Sequence, residues 1–280
     1  MIKPQLQDQA FLDDVARASR QPQALHLWWM GQSGFLLQWQ SNHLLFDPYI
    51  SDSLTEKYAA SDMPHERMTE RVIAPQRLDF IDVVTSSHNH TDHLDAETLI
   101  PLMQANPALQ VLVPAANRAY AAGRLQVAAE RLATVDVGRP TQLPPFTLHA
   151  VPAAHEALET DDEGRHKFIG LVVEMGPWTV YHSGDTVRYE GLAQHLRRWS
   201  IDVAILPING RDAARGVAGN LSGPEAVQLA RDVGARLLIP CHYEMFAFNS
   251  VSPDAFVAAA DAVEQQYCVL RSGERLTLAP

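Results

Sequence analysis

The sequence predicts a single α/β domain built as a four-layer αββα sandwich, with two mixed β-sheets stacked face to face and helices outside. Two observations predict this fold. Consecutive strand-like segments occur first, and strand-like and helical segments then alternate; the same order returns in the second half without any repeat of sequence. A chain of 280 residues, 46 % hydrophobic, could form one large domain or two small ones, and we predict one domain over 1–280.

The first predicted elements are a helix and three strands. In the leading segment 1–20, Phe11, Leu12 and Val15 are spaced for one face of a helix. Short apolar runs separated by Gly- and Asn-containing turns predict strands at 24–29, 35–39 and 43–46. The segment 51–78 is polar and irregular. Because a structureless segment of this length is typical of a functional or mobile loop, we treat it as a candidate lid.

Capping residues mark the later helices. Asp95 is placed to cap one helix, and Ser222 with Glu225 forms a capping box for another, which Gly234 closes. The predicted helices cover 95–104, an Ala-rich stretch ending near 123, 222–234 and a stretch beginning at 252. Apolar runs predict strands at 80–84, 109–113, 146–150, 168–173, 179–181, 203–206 and 237–239.

The segment His88-Asn89-His90-Thr91-Asp92-His93 contains four candidate metal ligands within six residues. It follows the predicted strand at 80–84, and a loop at a strand end can direct several side chains toward one point. Neutral imidazoles and a carboxylate suit a divalent cation such as zinc. Because one ion takes fewer ligands from so short a loop, the spacing indicates two ions. Chance clustering is the alternative in a chain with 12 histidines.

Three further candidates argue against chance clustering, because His155, Asp185 and His242 each follow a strand-like run. A lone histidine at such a position is usually only a polar strand end. Three of them together with the His-rich segment predict one shared site at the edge of the sheets. We assign the neighbouring His182 to a hydrogen-bonded position in the core or at its rim. Cys241 is assigned to the core, because adjacent strand residues face opposite ways.

These motifs resemble the metallo-β-lactamase fold superfamily, in which a dinuclear site takes its ligands from successive motifs in this order. The segments 27–35, 181–186 and 239–242 are similar to its L-ascorbate-6-phosphate lactonase-like branch, and the resemblance covers about 25–242. The lactonase itself is longer and lacks a histidine at the position of His155. The chain therefore resembles a shorter relative with a fuller ligand set.

The resemblance implies two divalent cations, Zn²⁺ or Mn²⁺. One would be held by His88, His90 and His155, and the other by Asp92, His93 and His242, with Asp185 bridging the two. Such ions, about 3.5–4 Å apart, lower the pKa of a shared water and leave hydroxide available near neutral pH. As the catalytic residue, Asp92 would orient this metal-bound hydroxide and pass its proton to the leaving group.

Residues near the motifs supply weaker candidates. Asp47, before Pro48, is either a carboxylate that fixes a ligand imidazole or a plain turn residue, and the sequence favours neither. Candidate substrate contacts are Gln32, Ser33, Arg211, Tyr243 and Glu244. For Arg211 a solvated role competes, since a lone arginine in a loop is more often solvated than bound to phosphate.

Composition limits the expected partners. The net charge of −11 opposes binding to nucleic acid phosphates. Two cysteines are too few for a disulfide framework and fit a reducing compartment. The N-terminal residues lack the apolar core of a signal peptide, and no stretch reaches the length of a membrane span. We expect a cytoplasmic protein with a small-molecule substrate and no nucleic acid or membrane partner. The sequence is compatible with a homo-oligomer and does not decide the oligomeric state.

Three functions compete at this point. The leading hypothesis is a metal-dependent hydrolase that opens a lactone or related ester of a small sugar acid, with or without a phosphate. A phosphodiesterase or nuclease of the same fold would use the same metal pair. A metal-binding protein without catalysis is the third, and the complete ligand set argues against it because a decayed site should lose ligands.

Overall fold

Two β-sheets form the centre of the structure, a computed structural model that describes residues 1–280. The seven strands of the first sheet are β1 Leu25–Gly31, β2 Gly34–Trp39, β3 Asn42–Phe46, β4 Val83–Thr85, β5 Gln110–Pro114, β6 Leu132–Val135 and β13 Arg275–Leu278. The six strands of the second are β7 Thr141–Leu143, β8 Phe146–Pro152, β9 Ile169–Met175, β10 Trp178–His182, β11 Val203–Pro207 and β12 Leu237–Cys241.

Both sheets are mixed, as predicted. The first has the order β13-β1-β2-β3-β4-β5-β6, antiparallel as far as β3 and parallel from β3 to β6. The second has the order β12-β11-β10-β9-β8-β7, parallel among β12, β11 and β10 and antiparallel beyond them. Parallel neighbours need long crossover connections, and these contain five of the seven helices.

Seven α-helices accompany the sheets: α1 Asp8–Ala18, α2 Ser53–Lys57, α3 Ala96–Ala105, α4 Arg118–Leu125, α5 Leu192–Leu196, α6 Gly223–Val233 and α7 Asp254–Ala262. The predicted capping box is present at the start of α6, where the main-chain N–H of Ser222 donates to Glu225 at 2.9 Å. Gly234 ends that helix in the left-handed conformation, at a φ of 71°. None of the seven has both the length and the apolar composition that crossing a bilayer requires.

Adjacent residues of β1 show how the layers pack. Trp29 belongs to a cluster of 45 buried side chains that includes inward-facing residues of both sheets, such as Phe35 and Val173. Trp28 faces the other way, into a cluster of 23 that includes Phe11 of α1 and Leu99 of α3. The larger cluster therefore fills the space between the sheets and continues to the helices outside the second sheet, through residues such as Leu229 of α6. The smaller cluster fills the space between the first sheet and its helices. Both tryptophans are core residues.

Some elements differ from the prediction. Strands β6, β7 and β13 were not predicted, because they are only three or four residues long and β7 is polar. The segment 51–78 is not structureless, as it contains α2 and a short helical turn at Pro75–Arg77, and Val72 and Ile73 are buried. Helical pieces this short leave no periodic pattern to recognise.

Strand direction brings the candidate ligands to one edge. Because β9 is antiparallel to both β8 and β10, and β12 runs with β10, the strands β8, β10 and β12 all point the same way. His155, Asp185 and His242 follow the carboxyl ends of these three strands within one to three residues. In the first sheet the parallel strands β3 and β4 end before Asp47 and the segment 86–93.

A buried hydrogen bond fixes α1 against the first sheet. Trp28 Nε1 donates to Asp14 Oδ2 at 3.0 Å, and Arg275 Nε of β13 lies 3.3 Å from the same oxygen. Replacing Asp14 removes the acceptor and leaves the buried indole N–H without a partner.

We expect Asp14→Ala to lower the free energy of unfolding by about 1–3 kcal/mol, since the lost acceptor is buried. Urea unfolding followed by circular dichroism measures it. The control is Asp13→Ala, because Asp13 is exposed on the same helix. Equal effects of the two substitutions would contradict the role assigned to Asp14.

Candidate metal centre

Histidine and carboxylate donor atoms form two groups at this edge. The first group is His88, His90 and His155, and the second is Asp92, His93 and His242. Within each group, one donor atom from each residue lies within 4.8 Å of the donor atoms of the other two. The structure thus brings together both triplets that the resemblance implies. A third group, Asp47 with His88 and His93, meets the same distance condition.

Asp185 lies between the two triplets. Its Oδ1 is 3.3 Å from Nε2 of His93, and its Oδ2 is 3.3 Å from Nε2 of His242. The same Oδ2 is 3.6 Å from Nε2 of His155, a member of the first triplet. One carboxylate therefore contacts both groups, which is the position expected for a bridging ligand.

The lack of hydrogen-bond partners at several donor atoms indicates whether these histidines and carboxylates can bind a cation. His88 Nε2, His93 Nε2 and Asp185 Oδ1 are buried and have no hydrogen-bond partner. A buried polar atom without a partner costs about 1–3 kcal/mol, so three at one place need an explanation. Imidazole nitrogens and carboxylate oxygens are the ligands that divalent transition metals take. The donor set fits divalent metal ions.

The other ring nitrogens of the histidines are held by hydrogen bonds. His155 Nδ1 donates to the Gly219 carbonyl at 2.9 Å, and His93 Nδ1 donates to Asp47 Oδ2 at 2.8 Å. His88 Nδ1 lies 3.0 Å from Ser87 Oγ. In a neutral imidazole whose Nδ1 carries the proton, Nε2 keeps its lone pair. These contacts therefore leave Nε2 of all three rings available to a cation.

Asp47 is the centre of the hydrogen bonds behind His93. Its fully buried carboxylate accepts hydrogen bonds from Thr85 Oγ1 at 2.9 Å and from the main-chain N–H and the hydroxyl of Ser87. Burial alone would raise the pKa of Asp47, but the hydrogen bond and charge of His93 hold it below the usual range. Of the two alternatives for Asp47, the contact with an imidazole is the one that the geometry favours.

The charges of the site favour a cation. Burial opposes a positive charge on His93, yet the carboxylates of Asp185 and Asp92 raise its pKa well above the ordinary value. Burial also opposes a negative charge on Asp185, and His242 and His93 nevertheless hold its pKa well below the usual range. Burial and the neighbouring His93 lower the pKa of His88, which keeps that imidazole in the neutral, ligating form.

Backbone strain is concentrated at the same edge. The φ angles of Gln32, Asp47 and His242 are 50°, 35° and 64°, in a region that side chains other than glycine rarely adopt. Gly184, before Asp185, has a φ of 57°, and a Cβ there would lie 2.7 Å from Ser87 Oγ. Glycine is thus required for the Asp185 loop to approach the loop that carries His88.

His182 and Cys241 are core residues, as expected. His182 Nε2 donates to the Ser33 carbonyl at 2.8 Å, and its ring stacks on Phe46 with centroids 4.7 Å apart. Cys241 is buried in the inter-sheet core, where burial raises the pKa of its thiol. Neither supplies a donor to the candidate ligand groups.

A cavity of about 450 Å³ opens beside the candidate ligands and includes His90, Asp92, His155, Asp185 and His242 in its wall. Its polar wall also contains Asn89 and Asn220, each of which has a buried Oδ1 without a hydrogen-bond partner. Its other residues include Leu54, Lys57, Tyr58, His65, Tyr120, Arg124, Phe246 and Phe248. The volume suits a small molecule.

The five residues proposed as substrate contacts all lie outside the cavity wall: Gln32, Ser33, Arg211, Tyr243 and Glu244. Ser33 and Tyr243 are buried, and the Tyr243 hydroxyl donates to the Leu270 carbonyl at 2.5 Å. Gln32 is also buried, and its Nε2 donates to Asp92 Oδ2 at 2.8 Å.

The remaining two have other surroundings. Arg211 forms an ion pair at 2.5 Å with Glu225, the capping carboxylate of α6. The main-chain N–H of Glu244 donates to Ser250 Oγ at 2.6 Å. Position next to a motif in sequence did not identify the residues that line the cavity, since alternate residues near a strand end turn into the core.

The cavity residues that sequence reasoning missed come from α2, from α4 and from three loops, at 58–65, 216–220 and 246–249. Lys57 and Arg124 lie on α2 and α4, far from the ligand motifs in sequence. His65 also belongs to the cavity wall, and its ring stacks on Tyr58 with centroids 4.2 Å apart. The ring centroids of Phe248 and His65 are 4.5 Å apart. No spacing in the sequence indicates these neighbours, because they meet only through the fold.

Comparison with known proteins gives relatives over nearly the whole chain. The UPF0173 metal-dependent hydrolase of Saccharolobus solfataricus is 24 % identical over 254 residues, which cover 89 % of this chain and 98 % of the relative. That of Opitutus terrae is 29 % identical over 260 residues, covering 90 % and 99 %. The isothiocyanate hydrolase from Delia radicum gut bacteria has a similar fold, with a TM-score of 0.71, 17 % identity and coverage of 91 % and 100 %.

A family model identifies the superfamily. The model of the beta-lactamase superfamily domain matches residues 42–243, which is well over half of the chain and includes every candidate ligand. The two mixed sheets, the flanking helices and the strand-end donor groups agree with this match. The chain therefore belongs to the metallo-β-lactamase superfamily, and its relatives over nearly the whole chain are metal-dependent hydrolases.

Proposed function

We propose that the protein hydrolyses a small lactone or related ester of a sugar-acid type, with or without a phosphate, as in the lactonase-like branch. The reaction would use two divalent cations, Zn²⁺ or Mn²⁺. The first would be bound by His88, His90 and His155, the second by Asp92, His93 and His242, and both by Asp185. The observation that carries the proposal is the set of unpartnered, buried donor atoms beside a cavity of about 450 Å³.

When bound, two such cations supply Lewis acidity and make hydroxide available near neutral pH. Asp92 would transfer the proton from the attacking water to the leaving alcohol. Its Oδ2 accepts the hydrogen bond from Gln32, so Oδ1 is the oxygen left to take a proton from the attacking water. The same oxygen then returns the proton to the leaving alcohol when the carbon–oxygen bond of the ester breaks.

The cavity wall supports a hydroxylated substrate. Asn89 and Asn220 belong to the cavity wall, and amide side chains can form hydrogen bonds with hydroxyl groups, which a sugar acid carries. Phe246 and Phe248 give the cavity an apolar part that excludes water around the reacting ester. These groups are the basis for ranking a lactone above a simple alkyl ester.

Size and charge support a small substrate over a polymer. A cavity of this volume accommodates a molecule of metabolite size. The net charge of −11 raises the free energy of bringing a long polyanion to the protein surface. The proposal therefore excludes a nuclease of broad specificity, and no nucleic acid or membrane partner forms part of it.

Substitution of the two carboxylates tests the reaction. We expect Asp92→Asn to lower kcat/KM on the true substrate at least about 100-fold, because an amide cannot move the proton. Asp185→Asn should also abolish turnover, because it removes the carboxylate that contacts both triplets. The assay is a screen of lactones, esters, phosphodiesters and isothiocyanates with the metal-loaded protein.

Circular dichroism of both variants checks that the fold survives, as helices and sheets do not depend on one loop carboxylate. Wild-type rates in either variant, or in the metal-free protein, would contradict the mechanism. Turnover of phosphodiesters alone would replace the lactone by a phosphodiester as the substrate.

Substitution of Asp47 tests whether its carboxylate holds the imidazole of His93 in place for metal binding. We expect Asp47→Asn to weaken metal binding about 10- to 100-fold, because the amide no longer fixes and polarises His93 through Nδ1. Competition with a chromogenic chelator measures the affinity. Asp82→Asn is the matched control, since Asp82 also lies at a strand boundary but contacts His43 far from the ligand groups. An unchanged affinity in Asp47→Asn would show that Asp47 serves only the turn.

A further inference from the structure

Two cationic side chains line the cavity without an acidic partner. Lys57 of α2 and Arg124 of α4 belong to its wall, and neither forms an ion pair within the protein. The acidic groups of the same wall are Asp92 and Asp185, which the proposed cations would occupy. The positive charges of Lys57 and Arg124 are therefore available to a ligand that enters the cavity.

Arg124 is held in place by neutral hydroxyls. Nη2 donates to Thr91 Oγ1 at 2.6 Å, and Nη1 donates to the hydroxyl of Tyr120 at 3.1 Å. Its Nε is buried and has no acceptor. Thr91 lies between the candidate ligands His90 and Asp92, so this hydrogen bond fixes the guanidinium beside the loop that carries them.

Lys57 supplies a second, more mobile charge. Its side chain is exposed, and Nζ lies 4.9 Å from the centroid of the Tyr58 ring. Tyr58 in turn stacks on His65, so the ammonium lies over the aromatic part of the cavity wall. A flexible four-carbon stem allows the ammonium to approach a bound group.

A partly buried guanidinium has five N–H groups, and only two of those of Arg124 are donated to the hydroxyls of Thr91 and Tyr120. Such a group is suited to a carboxylate or a phosphate, which accept charge-assisted hydrogen bonds. Two cations without acidic partners lie in the wall of one small cavity, in a protein whose net charge is −11. We propose that Arg124, assisted by Lys57, binds an anionic group of the substrate. This inference rests on the proposed function and narrows it to esters or lactones that carry a carboxylate or a phosphate.

Matched esters test the anion site. The three probes are the 4-nitrophenyl monoester of adipic acid, which carries a carboxylate, 4-nitrophenyl 5-phosphonopentanoate, which carries a phosphonate, and neutral 4-nitrophenyl hexanoate. We expect Arg124→Gln to lower the ratio of kcat/KM for an anionic ester over that for the neutral ester about 10- to 100-fold, mainly through KM. Lys57→Met should lower the ratio less, since its ammonium is exposed.

Arg139→Gln is the charge-matched control, because Arg139 is exposed and lies outside the cavity wall. It should leave the ratio unchanged. The anionic ester whose kcat/KM falls more in Arg124→Gln identifies the recognised group as the carboxylate or the phosphate. Equal losses on anionic and neutral esters, or the same ratio change in Arg139→Gln, would overturn the proposal.

A second measurement separates this inference from the hydrolase proposal. In the metal-free wild-type protein, inorganic phosphate or acetate should slow the modification of Arg124 by phenylglyoxal, as followed by peptide mass spectrometry, and should not slow that of Arg139. If no ester is hydrolysed but Arg124 is protected, the anion site stands and the ester reaction fails. If hydrolysis occurs without protection or ratio change, the anion site is wrong and the hydrolase proposal stands.

Discussion

The shared direction of β8, β10 and β12, facing the end of β4, is the constraint on which the site depends. It brings donor atoms from four separate loops to one buried edge, where His88, His93 and Asp185 retain atoms without partners. Each such atom costs about 1–3 kcal/mol, and the strained backbone of Asp47 and His242 adds to that cost. Bound cations would offset this free energy. Without them, the site lowers the stability of the fold in order to present the donor atoms that metal binding needs.

The sequence predicted most of the fold and the members of the ligand groups. The His-rich segment is informative because three imidazoles and a carboxylate within six residues must lie close together in any fold. His155, Asp185 and His242 could be added because each follows a strand-like run, and carboxyl ends of strands that run together share an edge. Their division into two triplets came from resemblance to a family, since spacing alone does not pair residues that lie 60 or more positions apart.

The substrate side of the cavity could not be predicted in this way. Arg124 and Lys57 reach it from α4 and α2, and His65 reaches it from a segment with no periodicity. The residues next to the motifs, such as Ser33 and Tyr243, turn into the core instead. Strands β6, β7 and β13 were missed because edge strands of three or four residues are specified by pairing with their neighbours rather than by their own pattern.

The central claim is that seven side chains hold two divalent cations. The most direct measurement is a crystal structure of the protein purified without chelator, with anomalous difference maps at the zinc and manganese edges. We predict two peaks, one at His88, His90 and His155 and the other at Asp92, His93 and His242, with Asp185 coordinated to both. A single peak, or fewer than five of the seven residues within about 2.0–2.5 Å of an ion, would contradict the account.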